Sequence, residues 1–263
     1  MYWQTFHNPK QTKFPKKFLV WQAICSCGKI SPRTARIVGG RAAHVQHIPY
    51  IVNLRKKGSF YCGGSLITPK CVLTAAHCVR NTKPHDITVR AGVTYLDENY
   101  NKRTVKKIFM PKSYNKKTLD NDVAIFKLNS PLSGKFIQTI ELSNETPQEG
   151  DLVKVSGWGL TQENGSVSQQ LRSVYVEVLS YQECRDSYHN YRNVTKSMFC
   201  ASIPGVKDAC AADSGGPAVL DGQLVGIVSW GRGRECARQK SPGVYVNIQA
   251  LRPWIDKIMH DYC

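Results

Sequence analysis

The chain has 263 residues, 41% of them hydrophobic and twenty of them glycine, a composition that fits an ordered, turn-rich globular protein and excludes intrinsic disorder. No run approaches the roughly 20 apolar residues of a membrane-spanning helix, so no membrane partner is expected. The net charge of +17 invites a nucleic-acid reading, but seven of the basic residues and no acid lie in residues 1–36. The remaining +10 is spread along residues 37–263 and no nucleic-acid-binding motif appears, so a solvated cationic surface rather than a nucleic-acid partner is expected.

Residues 1–36 read as a detachable leader. Lys10, Lys13, Lys16 and Lys17 precede an apolar run, Phe18 to Ile24, that Gln22 interrupts. The run is barely long enough for a secretory signal and no clear cleavage site follows it. Ten cysteines nevertheless point to an oxidising compartment, and the sequons at Asn144, Asn164 and Asn193 agree, so export is expected. The leader closes on Ser31-Pro32-Arg33-Thr34-Ala35-Arg36. From Ile37 the pattern changes to short apolar runs broken by Gly, Pro, Asn and Asp: Tyr50–Leu54, Ser65–Ile67, Ile87–Ala91, Val123–Leu128, Leu152–Ser156, Leu171–Leu179 and Leu224–Trp230. Runs this short, rich in Val, Ile and Tyr, predict the strands of an all-β protein. A short helix is predicted near Tyr181–Ser187, and a second closes the chain, where Leu251, Trp254, Ile255 and Ile258 recur at helical spacing. A polar, Pro-containing stretch, about Ser130 to Gly150, reads as a linker between two halves. No internal sequence repeat is visible.

Three fragments carry chemistry: Thr74-Ala75-Ala76-His77-Cys78, Asp120-Asn121-Asp122-Val123-Ala124-Ile125 and Asp213-Ser214-Gly215-Gly216-Pro217. Peptide hydrolysis near neutral pH needs a nucleophile, a base to deprotonate it and a group that orients the base, and a serine hydroxyl alone is too weak an acid. Histidine, aspartate and serine in that order, with Ile37-Val38-Gly39-Gly40 following an arginine, resemble the chymotrypsin-type serine proteases, specifically the trypsin-like branch. The resemblance covers essentially all of residues 37–263.

The resemblance implies two packed Greek-key β-barrels with a C-terminal helix, residues 37–135 forming the first and 136–263 the second. It implies a zymogen of a secreted endopeptidase in which Ser214 is the nucleophile, His77 the general base and then acid, and Asp122 the orienting carboxylate, preferred over Asp120 because it directly precedes the apolar strand. Cleavage after Arg36 would free the Ile37 amino group to pair with Asp213. Asp208 matches the floor of a slot for cationic side chains, Gly231 and Gly243 its walls, and Ser229-Trp230-Gly231 the segment that pairs with substrate backbone. Ala209 stands where trypsins often carry a serine hydroxyl, which predicts arginine preferred over lysine. Ala212 stands where the family has glycine; it and Ser214 would supply the oxyanion-hole N–H groups, so Ala212 raises the alternative of a weakened homologue with a binding or regulatory role.

By the same resemblance Cys62 pairs with Cys78, Cys184 with Cys200, and Cys210 with Cys236. Cys71 with Cys263 is a further expectation, leaving Cys25 and Cys27 without obvious partners. No cofactor or metal is expected: Gly92-Val93-Thr94 lacks the first carboxylate of the calcium loop of vertebrate trypsins, and His44 and His47 read as surface residues. The implied partners are protein or peptide substrates with Arg or Lys before the scissile bond, and proteinaceous inhibitors of a monomeric enzyme.

Overall fold

A computed structural model describes residues 40–80, 82–160, 166–202, 213–232 and 241–263. Residues 1–39, with Cys25, Cys27, Arg36 and Ile37 among them, lie outside the described residues, as do Asn164, Asp208, Ala209, Cys210, Ala212 and Cys236. In chain order the described strands are β1 (Arg41–Ala42), β2 (Ile51–Lys56), β3 (Ser59–Thr68), β4 (Cys71–Thr74), β5 (Ile87–Ala91), β6 (Lys102–Phe109), β7 (Ala124–Leu128), β8 (Leu152–Gly157), β9 (Arg172–Glu177), β10 (Met198–Ala201), β11 (Pro217–Leu220), β12 (Gln223–Trp230) and β13 (Gly243–Asn247). Helix α1 (Tyr181–Tyr188) precedes β10 and α2 (Ile248–Tyr262) ends the chain.

The strands form two antiparallel sheets. The first closes into a barrel in the order β2-β3-β4-β7-β6-β5, with β5 returning to pair along β2. The second has the order β1-β9-β8-β11-β12-β13-β10. Strands β9 and β10 meet where Val178 bridges Ala201 and the Leu179 and Ser202 N–H groups donate to the Cys200 and Glu177 carbonyls. Closure pairs the edge groups that would otherwise stay open. Setting β1 aside, both rings run first-second-third-sixth-fifth-fourth by strand number, the order of a Greek key returned on itself. Strand β1 pairs with β9 in the second sheet, although a division at residue 135 would assign it to the first barrel.

The local sequence accounts for these elements. Strand β5 alternates buried Ile87, Val89 and Ala91 with half-buried Thr88 and Arg90, the period of a sheet with one face inward. The β11–β12 hairpin turns through Asp221-Gly222, both at positive φ (48° and 80°), the two-residue turn whose twist matches its flanking strands. Helix α1 starts at a capping box: the Ser180 hydroxyl accepts the Glu183 N–H at 3.2 Å while the Glu183 carboxylate reaches back to the Ser180 N–H. On α2, Leu251 and Ile255 are buried in an apolar cluster shared by the first barrel and strands β11–β13 of the second sheet, with Trp254, Ile258 and Met259 packed beside them. The stretch 130–150 lies between the two sheets in sequence and is strapped to both, Leu132 and Ile140 donating to Pro69 and Leu66, and Ser143 to Leu224. Disulfides join Cys62 to Cys78, Cys71 to Cys263 and Cys184 to Cys200.

Candidate active site

The β4 strand ends at Thr74 and leads into a short 3-10 turn, Ala76–Val79, that presents His77. Asp122 sits just before β7, which pairs with β4 so that Thr74 lies opposite Ala124. Pairing at that register puts the carboxylate under the imidazole. Asp122 is fully buried, and its oxygens accept the His77 backbone N–H at 2.8 Å and contact His77 Nδ1 at 2.7 Å. A third donor comes from the second barrel, where the Ser229 hydroxyl reaches Asp122 Oδ2 at 2.6 Å. A buried carboxylate is tolerated when several donors face it. With Nδ1–H held by the acid, Nε2 is left as the basic nitrogen.

Asp120, the other acid of the fragment, is committed elsewhere. It accepts from the hydroxyls of Thr195 and Ser197, tying the loop before β7 to the loop before β10. Burial pushes the nearby Tyr114 phenol up to about 12, with the Asp122 charge adding and the Arg80 and Arg192 charges opposing.

The serine fragment comes from the second sheet and is laid against the first. The Ser214 carbonyl accepts the Gly63 N–H of β3 at 2.9 Å and lies 3.7 Å from Cys78 Sγ, next to His77 in sequence. Gly215 has φ +81°, and a Cβ there would land on Thr74 Oγ1 and the Gly63 carbonyl. That close approach brings the serine up to the histidine's loop. Val228 of β12 fixes the other side, accepting the Gly215 N–H at 2.8 Å and donating to the Gly216 carbonyl at 3.0 Å. The Ser214 hydroxyl is half-buried and makes no hydrogen bond to another described residue.

Asp213 is buried and turns the opposite way, into a cradle formed by Gly157-Trp158-Gly159. Its carboxylate accepts the Gly159 N–H at 2.8 Å, and a Cβ on either glycine would collide with it. Trp158 is fully buried with its indole donating to the Thr94 carbonyl at 3.0 Å. The sequence reading missed both this cradle and the Ser229 hydroxyl; the Gly-Trp-Gly pattern was the available signal for the first. Trp230 pairs with Val244, which sets Gly231 next to Gly243 at the ends of β12 and β13.

Among the described residues, Cys62, His77 and Cys78 bring three ligand-type atoms together. The Cys62 and Cys78 sulfurs lie beside the His77 ring but are bonded to each other and offer no thiolate. In the 92–101 loop the Glu98 carboxylate is taken by the Thr94 N–H at 2.8 Å and the Tyr100 hydroxyl at 3.0 Å.

A family model described as Trypsin matches residues 37–255. Hypodermin-A of Hypoderma lineatum is 40% identical over 239 residues, covering 90% of this chain and 92% of its own. Trypsin alpha-4 of Lucilia cuprina is 38% identical over 249 residues, 91% of this chain and 96% of its own. Trypsin delta of Drosophila melanogaster is 37% identical over 250 residues, at 91% and 98% coverage.

Proposed function

This chain belongs to the trypsin family of serine endopeptidases, and from that premise we propose that it is a secreted zymogen which, once cleaved after Arg36, hydrolyses peptide bonds following arginine and, less well, lysine. The observation that carries this reading is the Asp122 carboxylate, fully buried yet met by the His77 backbone, the His77 ring and the Ser229 hydroxyl. Those donors leave Nε2 of His77 free to take a proton.

In the proposed cycle the Ser214 Oγ–H gives its proton to His77 Nε2 as Oγ bonds to the scissile carbonyl carbon, and the carbonyl π pair moves to oxygen. Asp122 balances the imidazolium without taking its proton. His77 then protonates the leaving amine as the C–N bond breaks, and water repeats the sequence on the acyl-serine. The N–H groups of Ser214 and Ala212 are assigned to the oxyanion, and Asp208 to the cationic side chain at the slot's floor. Ala209 in place of a hydroxyl-bearing residue favours guanidinium, which meets a carboxylate with two bonds, over ammonium. The Ile37 amino group freed by cleavage is assigned to Asp213, already seated in its glycine cradle.

The test is the hydrolysis of an arginine ester and of matched arginine and lysine peptides by material cleaved at Arg36. Activity should appear on cleavage, be absent from Ser214→Ala, and favour arginine. Cleaved protein no faster than Ser214→Ala would leave a binding or regulatory role in its place. A smaller effect is expected for Ser229→Ala, which removes one hydrogen bond to a buried charge. It should lower kcat about tenfold and the thermal midpoint by only a few degrees; parental kcat would show that hydroxyl to be idle.

A further inference from the structure

The aromatic end of β12 carries charge that the mechanism does not use. Trp230 meets Tyr188 edge-on at 4.7 Å and lies 6.4 Å from Tyr191, which follows α1. The Arg192 guanidinium sits over the Trp230 indole at 4.8 Å, and Arg232 sits over the Tyr191 ring at 5.5 Å. Leu119, three residues before Asp122, packs on the same cluster. Two like charges are thus held on one aromatic platform beside the proposed triad.

Stacking occupies the face of a guanidinium and leaves its N–H perimeter unused. Arg192 donates no side-chain hydrogen bond to a described residue and Arg232 donates one, from Nη2 to the Ser187 carbonyl at 3.3 Å. Arg232 Nε and Trp230 Nε1 are buried without an acceptor. Among the described residues the nearby acids face other donors: Asp122 and Asp120 as described, while Asp186, which lines the cleft against Arg192, accepts from Gln182 at 2.8 Å. Among the described residues no carboxylate lies within 4.0 Å of either guanidinium. The two guanidiniums meet, among the described residues, one backbone carbonyl and no carboxylate, a donor-rich arrangement that complements an acidic side chain.

We propose that Arg192 and Arg232, mounted on Trp230 and Tyr191, form a carboxylate-recognising subsite that selects substrates with Asp or Glu two or three residues upstream of the cleaved arginine. This rests on the reading that substrate backbone pairs along Ser229–Gly231. On an added strand, side chains alternate in direction. With the cleaved side chain in its slot, the residues two and three places upstream pass beside Gly231 and over Trp230.

Two sets of fluorogenic peptides test it, each ending in arginine and carrying Glu, Ala or Lys at one of the two upstream positions. For protein cleaved at Arg36, kcat/KM should favour Glu over Ala about tenfold at one of them, with Lys below Ala. The Glu/Ala ratio should fall to about one in the Arg192→Gln/Arg232→Gln double variant and shrink in about 1 M salt. In parallel, Ser214→Ala protein is titrated with the same uncut peptides by fluorescence anisotropy. A Glu/Ala ratio of one in both assays overturns the subsite even if arginine peptides are cut. Glu-selective binding without hydrolysis by the unsubstituted protein keeps the subsite and removes the protease reading. Neither hydrolysis nor Glu-selective binding removes both.

Discussion

Replacing Asp122 with asparagine is expected to leave both barrels folded and to lower kcat for an arginine ester about 10,000-fold, the magnitude of this change in the serine–histidine–aspartate template of the same family. The carboxylate offers acceptor oxygens to three donors, the His77 N–H, His77 Nδ1 and the Ser229 hydroxyl. An amide keeps one acceptor oxygen and turns an NH2 toward the others. The least costly response is for His77 to change tautomer, so that Nδ1 accepts from the amide and the proton moves to Nε2. A histidine with its proton on Nε2 cannot take one from Ser214. The loss should therefore fall on kcat, with KM little changed and the thermal transition shifted by only a few degrees. A variant within tenfold of the parent would mean that the acid does not set the tautomer.

Much of this site was legible because its residues sit in fragments whose spacing and neighbours are distinctive. The preference for Asp122 over Asp120 came from the apolar strand that follows it, and in the structure Asp120 serves instead to tie two loops together. Strands such as Ile87–Ala91 announced themselves by alternation. Strand β6 did not: in Lys-Arg-Thr-Val-Lys-Lys-Ile-Phe only Val105 and Phe109 are buried, and a bulge between Val105 and Lys107 breaks the period. Nor was the repeated strand order of the two barrels visible as a sequence repeat. Ring closure demands only that apolar side chains point inward, which many unrelated sequences satisfy.

The Arg192–Trp230 cluster was hidden for a different reason. Its members lie on either side of the nucleophile fragment in sequence and meet only because α1 and its following loop fold onto the end of β12. A composition-based reading treats those arginines as scattered surface charge. Ser229 was similarly placed by its backbone, as part of a substrate-binding strand, while its hydroxyl turned out to serve the acid of the other barrel. Both cases depend on tertiary neighbours that no local pattern encodes.

The largest expected stability effect concerns the bond between Cys71 at the start of β4 and Cys263 at the chain end. It spans 192 residues, against 16 for Cys184–Cys200. If disulfides act by restricting the unfolded chain, the long loop contributes about 5 kcal/mol and the short one about 3 kcal/mol. Cys71→Ala/Cys263→Ala should then lower the thermal midpoint by roughly 10–20 °C, and Cys184→Ala/Cys200→Ala by less. Burial argues for the reverse order, because Cys184 and Cys200 are both buried while Cys263 is only partly so, and truncating buried sulfur leaves the larger void. Helix α2 is also pinned by Leu251 and Ile255 without the bond, which further favours the burial account if native contacts dominate. Calorimetry on the two double variants decides between them. A greater loss for Cys71→Ala/Cys263→Ala supports stabilisation through the unfolded chain; an equal or smaller loss would show that local packing around each sulfur outweighs loop length.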